Sequence, residues 1–266
     1  MPVVNPLARE LVFKLVYYGP GLGGKTTSLQ YIHAHTKAEH RGKMVSLATP
    51  VDRTLYFDFL PVRLPTLRGM NVRLQLFTVP GQVYYNATRK LVLTGGDGVV
   101  LVVDSQRLRL DANMESLENL RENLREHARS LAEVPHVIQY NKRDLADVLA
   151  IDELDQKLNR HGSPFFATVA PRGVGVFESL EAVAQAVLSD FQKRMPAAQR
   201  GDGLAGLHLP EGGNTEALRA AEPNETDPAP RPPFTAQEAA TSPSGTFRLS
   251  TAPEADPGED AARAVA

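Results

Sequence analysis

The chain has 266 residues, 42% hydrophobic and 23% charged, with no cysteine and a formal net charge of −2. That length allows one good core plus a tail or small second unit, and the missing cysteines exclude a disulfide framework or a thiolate metal site. The charge is split, +4 over residues 1–196 and −6 over 197–266, without the concentrated basic patch of a nucleic-acid binder.

In chain order, LVFKLVYY (11–18) is strand-like and ends at Gly19, and KTTSLQYIHAH (25–35) reads as a helix. NVRLQLFTV (71–79) alternates apolar and polar residues, as a half-buried strand does. GVVLVVDS (98–105) and HVIQYN (136–141) are short apolar runs of the kind that central parallel strands carry. Between them, residues 112–131 space Met114, Leu117, Leu120, Leu124 and Leu131 along one helical stripe. IDELDQKLNRHG (151–162) is a shorter helix stopped by Gly162, PFFATVA (164–170) a strand, and 175–195 a closing helix. Repeated β-α units predict an α/β fold, a mostly parallel sheet with helices on both faces. In such sheets ligands bind beyond the carboxyl ends of the strands.

Residues 197–266 differ in kind. They hold nine of the 20 prolines and only two aromatics, Phe234 and Phe247. Such a composition buries too little apolar surface to offset the entropy of ordering. A folded domain at 1–196 followed by a disordered, acidic, proline-rich tail at 197–266 is therefore expected. GLAGLHL and SGTFRLS are its apolar patches, each readable as a docking peptide or as plain linker. No apolar run approaches the roughly 18 residues of a transmembrane helix. MPVVNPLARE lacks the order of a signal peptide, and the termini lack common lipid-anchor motifs, so a cytoplasmic chain without a direct membrane anchor is expected.

The glycine cluster after the first strand carries chemistry. Gly19, four residues, then Gly24-Lys25-Thr26 match the phosphate-binding loop, between the strand and the helix that the motif requires. Gly19, Gly21, Gly23 and Gly24, with Leu22 among them, let backbone N–H groups turn inward around phosphate oxygens. The helix that begins near Lys25 and continues through Thr27 adds its positive end. Lys25 reaches toward β- and γ-phosphates, and the Thr26 hydroxyl suits magnesium. The loop alone does not choose between adenine and guanine.

Asn141-Lys142-Arg143-Asp144 makes that choice. The Asp144 carboxylate can accept two hydrogen bonds from guanine N1–H and its exocyclic amine, whereas adenine offers no such donor pair. The Lys142 stem can cover the base face. TVAPRG follows the next strand, where the Ala170 N–H is a candidate contact for the guanine oxygen, although a plain loop reads equally well.

With these residues in place, residues 1 to about 195 resemble a Ras-superfamily small GTPase, and within it the MglA-type polarity GTPases of gliding bacteria. YYGPGLGGKTT, DRTLYFDFLP, TVPGQVYYNATRKL, ANMESLENLRENL, QYNKRDL and VAPRGVGVFESL carry the resemblance. It implies a GTP/GDP switch needing Mg²⁺ that controls cell polarity or gliding motility, with recruitment to a cell pole. It also implies a roadblock/longin-type, MglB-like activating partner, an exchange factor and motility effectors. By position, Thr54 would meet magnesium and the γ-phosphate, and Arg53 would be an arginine finger in cis, with an ion pair to Asp52 as the alternative. Gln82, directly after Gly81, occupies the water-orienting position.

Thr78 in TVPG departs from the wider superfamily, whose acidic residue there holds magnesium through a water. A hydroxyl is a weaker, neutral substitute, so lower metal affinity is expected. The 29 positions from Lys25 to Thr54 predict a long, mobile switch loop. Two functions stay open on sequence grounds. One is a hydrolytic switch, slow without its partner; the other is a nucleotide-binding scaffold that recruits partners through its tail with negligible turnover.

Overall fold

The computed structural model describes residues 3–5, 9–46, 57–64 and 71–194. Its strands are β1 (Val3–Asn5), β2 (Glu10–Tyr18), β3 (Val45–Ser46), β4 (Asp58–Arg63), β5 (Asn71–Thr78), β6 (Gly98–Asp104), β7 (His136–Asn141) and β8 (Phe165–Ala167). Its α-helices are α1 (Lys25–His35), α2 (Asn86–Leu93), α3 (Leu110–Glu126), α4 (Ile151–Leu158) and α5 (Val176–Arg194). Among the described residues the strands form one sheet in the order β3-β4-β5-β2-β6-β7-β8, with β1 also pairing to β2. The pairs from β5 through β2, β6 and β7 to β8 are parallel. β1, β3 and β4 join antiparallel.

The period of two along a strand divides the core between the two faces. Leu11, Phe13, Leu15 and Tyr17 of β2 point to one side, where Leu29 and Ile32 of α1 and Phe177, Leu180 and Val187 of α5 cover them. Val16 and Tyr18 point to the other, under Leu93 of α2, Leu117, Leu120 and Leu124 of α3, and Leu154 of α4. β6 divides likewise, Val100 and Val102 one way and Val99, Leu101 and Val103 the other. That is why its sequence reads as an unbroken apolar run: both faces are covered. Each fully buried Val or Leu contributes on the order of 2 kcal/mol relative to an exposed one.

The α/β reading and the central parallel strands hold, and three details differ. The long helix stops at Glu126, so Leu131 lies beyond it, buried in the following loop, while Met114 faces outward at 46% exposure. Ala128 takes a left-handed φ of 52°, its N–H donates to Arg125 O at 2.9 Å, and Arg129 N donates to Leu124 O at 3.0 Å. This closure satisfies the last carbonyls and turns the chain out of the helix. α4 ends at Leu158, before Gly162, which sits at φ 62° in the next turn. β4 shows no strand signal that the sequence reading used; its place comes from pairing with β5, Phe59 opposite Phe77 and Val62 opposite Leu74. The predicted switch loop around Thr54 and the tail at 197–266 lie outside the described residues.

Candidate nucleotide site

Residues 19–24 leave the carboxyl end of β2 and enter α1. Two of the glycines are forced by contact. A Cβ on Gly19 (φ 152°) would stand 2.1 Å from Val102 O, and one on Gly24 (φ 104°) 2.1 Å from Asn141 Nδ2. Gly24 caps α1 without a side-chain hydrogen bond, and the first turn has no acidic residue. The first N–H groups of the helix and its positive end therefore stay available to an anion. Thr26 is exposed there and Thr27 half-buried.

Lys25 is the cation of this loop. It is 6% exposed, and its Nζ donates to Gly19 O at 2.9 Å and Pro20 O at 2.7 Å. Burial and the neighbouring Arg89 charge push its ammonium down to about 7, against a partial upward pull from Asp58. Arg89, on α2, is fully buried. Its guanidinium donates to Asn119 Oδ1 at 2.6 Å, Ser116 Oγ at 2.8 Å and Gly19 O at 3.3 Å, and lies 4.5 Å from the centre of the Tyr18 ring. Neutral acceptors thus hold this cation and tie α2 and α3 to the phosphate loop.

Beside Thr26 the structure brings in a carboxylate that the sequence reading missed. Asp58, the first residue of β4, is 8% exposed. Its Oδ2 accepts the Thr26 hydroxyl at 2.6 Å and the Thr78 hydroxyl at 2.8 Å, and its Oδ1 accepts the Ser46 hydroxyl at 2.7 Å. Its own N–H donates to Thr78 Oγ1 at 2.8 Å. An acid, absent from TVPG itself, thus stands beside Thr78 and Thr26 from across the strand pair. The available signal was the alternation of DFLPVR, which puts Asp58 on the same inward face as Leu60 and Val62. Among the described residues no group of three or more His, Asp or Glu could hold a metal by itself. A hard cation here would take the Thr26 hydroxyl with phosphate oxygens, and Asp58 behind them.

The base loop follows β7. Asn141 is 1% exposed and acts as a clamp: Nδ2 donates to Gly23 O at 2.8 Å, and Oδ1 accepts Ala170 N at 3.0 Å and Thr168 Oγ1 at 3.2 Å. The Ala170 N–H, expected to face a guanine oxygen, is thus engaged by Asn141 and braces the loop. Lys142 adopts φ 66°, and its Nζ donates to Asp104 Oδ2 at 2.7 Å. Asp144 is exposed at the rim. On the other side, Gly81 packs so closely on the phosphate loop that a Cβ would lie 2.2 Å from Gly21 Cα. Gln82 follows, exposed and extended at φ −82°, ψ 131°. Arg53 and Thr54 lie outside the described residues. No helix among those described is long and apolar enough to cross a membrane.

A family model described as the Ras family matches residues 14–189. The mutual gliding-motility protein MglA of Myxococcus xanthus (strain DK1622) is 55% identical over 193 residues, 73% of this chain and 99% of that protein. The Ras-related protein Rab-8B of Homo sapiens is 26% identical over 188 residues, 70% of this chain and 83% of its own. Rab-10 of Diplobatis ommata is 25% identical over 198 residues, 73% and 90% respectively. With most of the chain inside both the family match and the MglA match, the chain belongs to the Ras family, as a GTP-hydrolysing small GTPase of the MglA type.

Proposed function

We propose that the chain is a Mg²⁺-dependent GTP/GDP switch, slow in hydrolysis until a partner acts, which controls cell polarity or gliding motility. One observation carries the nucleotide part of this reading. Asn141 joins the phosphate loop at Gly23 to the base loop at Ala170, so one buried amide fixes the two ends of a nucleotide pocket. Lys25, Thr26 and Thr27 with the loop glycines would hold the phosphates, and Thr26 with Asp58 and Thr78 behind it would hold Mg²⁺, with Thr54 joining when GTP is bound. The ion would neutralise charge on the transferring phosphoryl group. Gln82 would orient the attacking water and Arg53 would add positive charge in cis.

Guanine preference is assigned to Asp144. Losing two charge-assisted hydrogen bonds should cost on the order of 3 kcal/mol, about a hundredfold in affinity. GDP and ADP titrations of wild type and Asp144→Ala test it, and equal wild-type affinity for both nucleotides would refute the assignment. Catalysis is assigned to Gln82. Gln82→Leu should slow partner-stimulated hydrolysis at least about tenfold with nucleotide affinity kept; a wild-type rate would instead favour the scaffold reading.

The motility role is supported by similarity to the mutual gliding-motility protein. The polarity role and the partner class, a roadblock/longin-type activating protein with an exchange factor and motility effectors, rest on the resemblance of the sequence motifs alone. The same reading makes the protein cytoplasmic, recruited to a pole. We assign the switch to residues 1–196 and an acidic appendage to 197–266. Truncation after Met195 should leave Tm and GDP affinity unchanged; a shift in either would put part of the appendage on the domain.

A further inference from the structure

Asp104 closes β6, is fully buried, and serves two cations. Its Oδ2 accepts Lys142 Nζ at 2.7 Å and lies 3.7 Å from Arg109 Nε, while Oδ1 accepts Gln106 N at 3.1 Å. Asn113 of α3 grips the Asp104 backbone on both sides, accepting its N–H at 3.0 Å and donating to its C=O at 2.8 Å. The backbone of Asp104 and one carboxylate oxygen are therefore anchored by groups other than the two cations.

The two cations lead to opposite ends of the pocket. Lys142 belongs to the base loop. Arg109 ends a short 3-10 turn, Arg107–Arg109, that opens α3, and its Nη2 donates to Gly21 O at 2.8 Å. A planar trans peptide sets the next N–H opposite to its carbonyl. Holding Gly21 C=O on Arg109 thus fixes where the Leu22 N–H points, and that amide is one of the phosphate-loop donors. Leu22 needs such a hold. It sits at φ 62°, a left-handed conformation that disfavours a non-glycine residue, and its side chain is 88% exposed, so packing does not secure it.

We infer that Asp104 and Arg109 are positioning residues that couple base reading to phosphate binding: one buried carboxylate holds Lys142 at the base loop and steers Arg109 onto the Gly21 carbonyl. This rests on the guanine-nucleotide reading of the site. Loss of Arg109 frees the Leu22 peptide alone. Loss of the Asp104 charge also leaves Lys142 to its weaker bond with Gln106 Oε1 at 3.2 Å, and leaves two cations beside each other without their shared anion.

Fluorescent GDP bound to the full chain, with GDP and ADP as competitors, tests the coupling. Arg109→Met, at a side chain 35% exposed, is expected to fold with an unchanged Tm and to weaken GDP about tenfold with the GDP-over-ADP ratio preserved. Arg109→Lys should recover part of that loss, since an ammonium can still reach the carbonyl. Asp104→Asn should weaken GDP at least as much and lower the GDP-over-ADP ratio too. The double variant should lose less than the product of the two singles. Wild-type GDP affinity in Arg109→Met overturns the inference, as do single effects that simply multiply, even when the wild type prefers GDP. A wild type that binds GDP and ADP equally would fail the underlying guanine reading instead.

Discussion

Lys25→Ala is expected to weaken GDP binding by on the order of 4 kcal/mol, about a thousandfold, because it removes a desolvated charge from the phosphate loop. Among the described residues the ammonium donates to two loop carbonyls, Gly19 O and Pro20 O. Burial is the largest cause that brings it from 10.5 down to about 7. Between these two values the unfolded chain binds the proton that the folded chain has lost, so this group makes nucleotide-free protein more stable as pH rises from 7 toward 10.5. A phosphate anion favours the charged form and reverses the shift. GDP binding above pH 7 should therefore take up a proton at Lys25, and its affinity should fall as pH climbs. Calorimetry in buffers of different ionisation enthalpy reads the proton directly. Proton uptake in the wild type that persists unchanged in Lys25→Met would remove Lys25 as its source.

Local signals made the phosphate loop and the central sheet legible. Gly24 before Lys25 marks both the loop and the start of α1, and the doubly covered β6 announces itself as an apolar run. What escaped depends on pairing between distant residues. Asp58 reaches Thr26 and Thr78 only because β4 pairs antiparallel with β5, and no spacing within DFLPVR states that register. Asp104 reads in sequence as the end of an apolar strand; its hold on Lys142, 38 positions away, exists only in the fold. Asn141 was legible as part of the base loop, yet its observed bonds go to Gly23, Thr168 and Ala170. The α3 stripe failed at its C-terminal end for a local reason: an alanine, Ala128, takes the left-handed position more often given to glycine, so the stop carried no marker.

Asp58→Ala is expected to remove most of the magnesium-dependent part of GDP affinity, on the order of 4 kcal/mol or about a thousandfold in excess Mg²⁺. Thr78 is a neutral residue at a position where the wider superfamily has an acid. Its hydroxyl donates to Asp58 Oδ2 and its oxygen accepts the Asp58 N–H, so Thr78 seats a carboxylate that would stand in for that acid. The Thr26 hydroxyl donates to the same oxygen. That bond leaves the Thr26 lone pairs free and makes its oxygen a better ligand for a hard cation. Without the carboxylate, Thr26, Ser46 and Thr78 lose their common acceptor, and the cation loses its nearby negative charge. In chelator the result should differ in sign, because removing Asp58 takes a negative charge away from the phosphate loop and GDP should bind no worse than to the wild type. GDP release rates measured with magnesium and with chelator separate the two effects. An Asp58→Ala variant whose release responds to chelator as strongly as the wild type would show that the cation is held elsewhere. Adding Thr78→Asp to Asp58→Ala returns an acid to the same corner from β5, and this should restore part of the magnesium response.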